Sequence, residues 1–379
     1  MLNPVVTRLA RWTLPLCCAM LLAACAVGEK RPNPQPLPPN VDLIGVRPAW
    51  NTRLSAIGFP LQVQVVNNRV VVATNDGTVV TLDAASGREV ARASAGAPLA
   101  AGVGSDGLVA AVVTQKNQLV VLEGGQVLWK HTLPTESYTA PLVAGARVFV
   151  LGADRSLSAF DERTGAPLWH TAAKTGDMLV LQESGVLIPV GNVLVAGMSG
   201  RMIGVNPNTG SVLWEAPVGT PRGANDVERL AELVAGVARQ GQTVCARSFQ
   251  TAVGCVDTAT GRVLWTHKAN GTTGVAGDGQ HVFGGEWDDR VLAWNATTGE
   301  EVWSSDLLKW RNLTGPLVLG RSVVFGDSGG LVHLLSRADG RPLDRLTTDG
   351  SGIAATPVLA GNTLVVVTRA GGVYGFVPG

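Results

Sequence analysis

The chain has 379 residues, and its 30 lysines and arginines nearly cancel its 29 carboxylates, for a formal net charge of +1. Such a balance offers no electrostatic capture of nucleic acid, so no nucleic-acid partner is expected. Charge is sparse, glycine is abundant at 47 residues, and the apolar residues come in short runs. That composition suits many short strands joined by tight turns.

Residues 1–24 read as a lipoprotein signal peptide. Arg8 and Arg11 are its basic region, and Leu14 to Leu22 its apolar region, which is too short to span a bilayer with margin. It ends in Leu22-Ala23-Ala24-Cys25, which resembles the bacterial lipobox. The resemblance implies cleavage before Cys25, diacylation of its thiol and acylation of the new amine. Three acyl chains anchor far better than one. Ala26 after the Cys implies the outer membrane rather than retention at the inner one. The residue pattern also admits an ordinary secretory peptide, or a membrane anchor with a buried Cys. Cys17 and Cys18 are adjacent, but they lie in the removed segment. Residues 25–46 carry Pro32, Pro34, Pro36, Pro38 and Pro39. They predict an extended, semi-rigid spacer that holds the remainder of the chain away from the membrane.

Residues 47–379 are repeats. The stretch Val70-Val71-Val72-Ala73-Thr74-Asn75-Asp76-Gly77-Thr78-Val79-Val80-Thr81-Leu82 is a hairpin with an Asp-Gly turn. Similar hairpins begin near residues 70, 109, 147, 193, 243, 281, 322 and 363. Eight units of roughly 40 residues predict an all-β fold, an eight-bladed β-propeller of four-stranded antiparallel blades. Downstream of most hairpins comes a second signature, clearest in Asp161-Glu162-Arg163-Thr164-Gly165-Ala166-Pro167-Leu168-Trp169. The Asp side chain starts a turn and the Gly supplies a positive φ. Four residues after the Gly stand Trp129, Trp169, Trp214, Trp265 and Trp303, read as structural blade-docking residues. The residue before each Trp is aliphatic, so the outer strand is expected to be apolar on both faces and pressed between two sheets. The eighth unit ends after its third strand. Arg47 to Leu54 has an orphan Trp50, and is expected to supply the missing outer strand and close the ring.

Cys245 and Cys255 flank one hairpin symmetrically about Gln250. They are either a cross-strand disulfide or two buried thiols. The repeat is stretched twice in succession, around 173–187 and around 219–240. Insertions in repeat folds map to loops, often on the binding face. The first carries Met178, Leu179 and Leu181. The second reads as a short helical turn capped by Asn225 or Asp226. Together they make either a protein-binding surface or a plug for the channel. Gly326-Asp327-Ser328-Gly329-Gly330 matches the nucleophile motif of chymotrypsin-like proteases, but it sits at a hairpin tip, is followed by Leu331, and no His motif accompanies it.

The Asp-x-x-Thr-Gly-x-x-Trp repeat is similar to that of pyrroloquinoline-quinone dehydrogenases. Their vicinal disulfide has a counterpart only in the signal peptide, and the residues suggest no ligand set, so no catalytic, cofactor-binding or metal residue is assigned. Over its whole length the chain resembles more closely the BamB family, lipoprotein subunits of the outer-membrane β-barrel assembly (BAM) machinery. The lipobox, spacer and eight repeats carry the resemblance. So do Trp303-Ser304-Ser305-Asp306-Leu307-Leu308, Val324-Phe325-Gly326-Asp327-Ser328 and Asp226-Val227-Glu228-Arg229-Leu230. The resemblance implies a non-catalytic scaffold without cofactor, lipid-anchored on the periplasmic face of the outer membrane. It would be a monomer within a hetero-oligomeric complex, binding the periplasmic domain of BamA. Carried residue by residue, it places BamA contacts at Leu179, Leu181, Gln182, Arg229 and Glu232. Gln182 departs from the family's usual Arg, and Val234 stands where the family has an acid. The alternatives are a small periplasmic quinoprotein dehydrogenase and a lipoprotein propeller that binds another periplasmic partner.

Overall fold

The computed structural model describes residues 31–172, 180–220 and 230–379. Among these residues the regular structure is β only, and it forms eight four-stranded antiparallel sheets. They are blade 1 (64–94), blade 2 (99–132), blade 3 (142–170), blade 4 (187–217), blade 5 (233–268), blade 6 (276–305) and blade 7 (317–347), with blade 8 built from 358–378 and 46–53. The second strands begin at 69, 109, 147, 193, 243, 281, 322 and 363, where the hairpin signals put them.

Each middle strand is covered on both faces, because its blade has a neighbour on either side. Val70, Val71, Val72 and Ala73 are all buried, with none of the alternation a half-exposed strand would show. Antiparallel order puts the tips between second and third strands on one face of the ring, together with the connections between blades. We call this the tip face. The Asp-x-x-Thr-Gly turns lie on the opposite, turn face. At a turn such as Asp161–Gly165, Asp161 Oδ1 accepts the Arg163 and Thr164 N–H groups at 3.1 and 2.8 Å, and Gly165 takes φ 71°.

Each docking Trp projects from an outer strand onto the turn of the next blade. The rings of Trp129, Trp169, Trp214, Trp265 and Trp303 lie over Gly165, Gly210, Gly261, Gly299 and Gly340. Trp129 Nε1 donates to Glu162 O at 2.7 Å, Trp169 Nε1 to Pro207 O at 2.9 Å, Trp265 Nε1 to Ala296 O and Trp303 Nε1 to Arg337 O, both at 2.9 Å. The expectation of an outer strand buried on both faces is corrected. Leu168, Leu213, Leu264 and Val302, each next to a Trp, are exposed. Blades diverge toward the rim, so only a ring as large as indole bridges the widening gap, and the aliphatic neighbour on the other face meets solvent.

Ring closure follows the sequence. Val46–Arg53 pairs antiparallel with Gly372–Pro378. The orphan Trp50 lies over Gly87 of blade 1 and donates Nε1–H to Ala84 O at 3.0 Å. Cys245 and Cys255 stand directly opposite each other on neighbouring strands of blade 5 and are joined as a disulfide.

Residues 31–45 do not project as a free spacer. They lie along blades 6 and 7. Arg31 pairs with Asp289 at 2.8 Å and sits over the Trp310 ring, the Asn40 amide donates to Asp344 Oδ1 at 2.9 Å, and Leu43 N–H donates to Leu343 O at 2.8 Å. Leu37 and Ile44 supply apolar contacts to the cores beneath. Prolines keep the strip extended, but these anchors, spaced along it, hold it against the ring.

Candidate protein-binding surface

The described ends of the two stretched connections, 180–186 leading into blade 4 and 230–232 leading into blade 5, approach each other on the tip face. The first is tied through the backbone to the first strand of blade 5, into which the second leads. Gly185 and Val234 form an antiparallel bridge, and Ala235 N–H donates to Ser184 O at 2.7 Å. A long loop stays ordered only if its own polar groups are satisfied. Here Gly185 N–H also reaches Thr139 Oγ1 at 2.9 Å.

Glu232 is the hub. Its Oε1 accepts Arg155 Nε at 3.1 Å and Nη2 at 2.5 Å, its Oε2 accepts the Ser199 N–H at 3.1 Å, and its backbone O accepts Phe249 N–H at 2.8 Å. Arg155 and Ser199 are non-glycine residues at positive φ, 65° and 47°, in the tips of blades 3 and 4. One residue thus ties the tips of three successive blades together, blades 3 and 4 through its carboxylate and blade 5 through its backbone carbonyl. The Arg155 and Glu232 side chains are only 7% and 15% exposed, so the charge is spent within the protein.

Of the sequence-predicted contacts, Leu181 is half-buried beside this hub. Gln182 is exposed and donates Nε2–H to the Tyr138 hydroxyl at 3.3 Å. Val234 is buried in the first strand of blade 5, at 4% exposure, where an acid would lose its water. Leu179, Met178, Arg229, the turn expected at Asn225 or Asp226, and Cys25 lie outside the described residues. The cavity between Tyr138, Leu151, Leu181 and Glu232 measures about 40 Å³. That cavity holds water rather than a ligand. Sequence reasoning missed Arg155, Ser199 and Tyr138. Nothing local marks them, because their roles come from meeting residues one or two blades away.

The protease-like motif has a structural account. Asp327 Oδ2 meets Arg311 Nε at 2.7 Å and His333 Nε2 at 2.9 Å, so a His does reach the Asp, which the sequence did not reveal. Ser328 Oγ instead donates to Arg311 O at 2.9 Å. The His nitrogen that would serve as base is engaged by the carboxylate, and serine and imidazole are not coupled.

The family described as outer membrane protein assembly factor BamB matches residues 75–305 and 288–377. The outer membrane protein assembly factor BamB of Burkholderia pseudomallei is 38% identical over 377 residues, spanning 98% of this chain and 99% of the relative. The crystal structure of BamB from Moraxella catarrhalis is similar with a TM-score of 0.79 at 24% identity, over 88% of this chain and 99% of that one. Quinohemoprotein alcohol dehydrogenase from Comamonas testosteroni is similar with a TM-score of 0.68 at 14% identity, over 91% and 78%. Identities this low in the two solved structures speak to the fold alone.

Proposed function

This chain belongs to the BamB family of outer membrane protein assembly factors, and from that premise we propose that it is a non-catalytic scaffold lipoprotein of the BAM complex. It is anchored through acylated Cys25 at the periplasmic face of the outer membrane. It presents the joined loops of blades 3 to 5 to the periplasmic domain of BamA. The observation that carries this reading is the tie between the described ends of the two loops and their blades, through the Glu232–Arg155 pair and the Gly185–Val234 bridge. A pre-organised surface loses little entropy on binding.

The geometry also divides the work among the candidate contacts. Gln182 and Glu232 already have partners within the chain, so they shape the surface, and Leu179 and Leu181 anchor the partner. A few apolar anchors ringed by satisfied polar groups are the usual form of a protein interface. The experiment is a pull-down of BamA by the acylated protein from its own envelope. Leu179→Ala combined with Leu181→Ala is expected to weaken recovery at least about tenfold, the loss typical of truncated anchors, with the thermal transition retained. Unchanged recovery would move the interface elsewhere on the ring. Reading the chain as a quinoprotein dehydrogenase draws on the shared fold alone.

A further inference from the structure

Two of the eight outer strands lack a Trp at the docking position. In blade 7 it is Asp344, buried at 4% exposure and covered by the chain's own N-terminal strip through Asn40. In blade 1 it is Ala91, which stands opposite Thr81 as Trp129 stands opposite Val121 and Trp169 opposite Ala159. The turn that would meet the missing ring is the shortened one of blade 2, Glu123-Gly124-Gly125. Between blades 1 and 2 this leaves a cleft of about 490 Å³. That lies within the size range of ligand sites. Its walls include Val71, Val79, Val109 and Leu122, and at its mouth stands Leu108, 72% exposed. Of the charged side chains that line it, Arg92 is held by Glu89 at 2.6 and 2.9 Å, and Arg69 is an exposed cation. The one carboxylate, Glu123, is engaged by Arg163 at 2.7 Å.

We propose that this cleft docks an extended polypeptide segment of a second protein, which inserts one aromatic side chain into the seat Ala91 leaves open and sets an acidic residue against Arg69. The occupant is specified by the ring itself. At the six filled seats an indole lies over the next turn, and at all but that of Trp214 it donates to the turn's backbone, so the same space takes an aromatic group supplied from outside. With Arg92 paired to Glu89 and Glu123 to Arg163, the exposed Arg69 leaves the mouth cationic and selects an anionic flank by charge complementarity. Leu108 is the apolar contact that water meets until the segment arrives. The cleft is lined by turn-face residues of blades 1 and 2, on the opposite side of the ring from the loops of blades 3 to 5. The proposal therefore does not rest on the BamA reading, and a partner here leaves those loops free.

The test uses the full mature chain and a fluorescein-labelled peptide of sequence Gly-Ser-Trp-Asp-Ser-Gly, titrated by fluorescence anisotropy. The wild type is expected to bind it. Ala91→Trp fills the seat from within and is expected to weaken binding at least about tenfold, as loss of a buried anchor does, with no fall in thermal stability. Arg69→Glu alters only an exposed side chain and reports even if the Ala91 variant misfolds. It is expected to weaken binding of the Asp peptide more than that of the matching Asn peptide. Absence of binding by the wild type at millimolar peptide overturns the proposal. So does binding by Ala91→Trp or Arg69→Glu that equals the wild type.

Discussion

A single glycine shows how much one position carries. Gly165 takes φ 71°, which side chains rarely adopt, and a Cβ there would lie 2.6 Å from the Trp129 ring. The backbone conformation and the close approach of the indole demand the same residue for two independent reasons. The buried pair Asp327 and His333 decides behaviour in acid. Burial pushes the His333 imidazole below its ordinary value, outweighing the Asp327 acceptor. Burial raises Asp327 too, but hydrogen bonds from His333 and Arg311 overcome it and hold the carboxyl low. The two groups act in different windows. As pH falls below about 6.5, the unfolded chain takes up a proton at His333 that the folded chain refuses, so stability falls. Below about 3.9, the unfolded chain protonates Asp327 first, and stability falls again. The melting temperature is expected to decline from pH 6.5 downward, and less steeply in His333→Gln, which keeps a donor for Asp327 without titrating. Parallel profiles for the two proteins would place the acid sensitivity elsewhere.

At the scale of elements, a loop becomes a surface through one buried ion pair. A surface pair of this kind would contribute little, but Arg155 and Glu232 are shielded, and removing one partner of a buried pair is costly. Glu232→Ala is expected to cost about 3 kcal/mol. Glu232→Gln should recover part of this, because it keeps an acceptor for the Ser199 N–H. Chemical denaturation with a double-mutant cycle on Arg155 measures the coupling. A cycle energy near zero would show that the Gly185–Val234 bridge alone holds the loops. The N-terminal strip illustrates the converse. Its prolines make it extended, but ion pairs, hydrogen bonds and two apolar side chains, not stiffness, decide where it lies.

The whole molecule depends on closure, since a ring left open would expose two blade faces. The closing contact joins the first described strand to the last: Val46–Arg53 pairs with Gly372–Pro378, while Trp50 reaches forward onto Gly87. Trp50→Ala is expected to cost about 3 kcal/mol, and to speed amide exchange in Val373 to Phe376 and in the Gly87 turn before the other blades respond. Uniform exchange across all blades would show that closure is not the weakest joint. Closure also explains why the docking residues need not be identical around the ring. With the blades held by covalent order and by the closing strand, one seat can be covered by the N-terminal strip and another left open between blades 1 and 2.

Local pattern along the chain was enough to specify the number of blades, the hairpin starts, the turn chemistry, the docking role of the tryptophans and the origin of the closing strand. Most of these are encoded within about 40 residues of one another, the length of one repeat, by glycine conformation, Asp side chains and hydrophobic runs. The closing strand was legible by subtraction, from a last unit one strand short and an orphan Trp50. Other features arise only when the blades meet. Glu232 meets Arg155 across 77 positions, and Gln182 meets Tyr138 across 44. His333 turns inward onto Asp327, the aliphatic neighbours of the tryptophans face solvent, and the N-terminal strip folds back on blades 6 and 7. Even the open seat at Ala91 was legible only as a missing Trp, not as a cleft. Each of these depends on which blades the closed ring brings side by side and how far they diverge at its rim, and no local pattern carries that information.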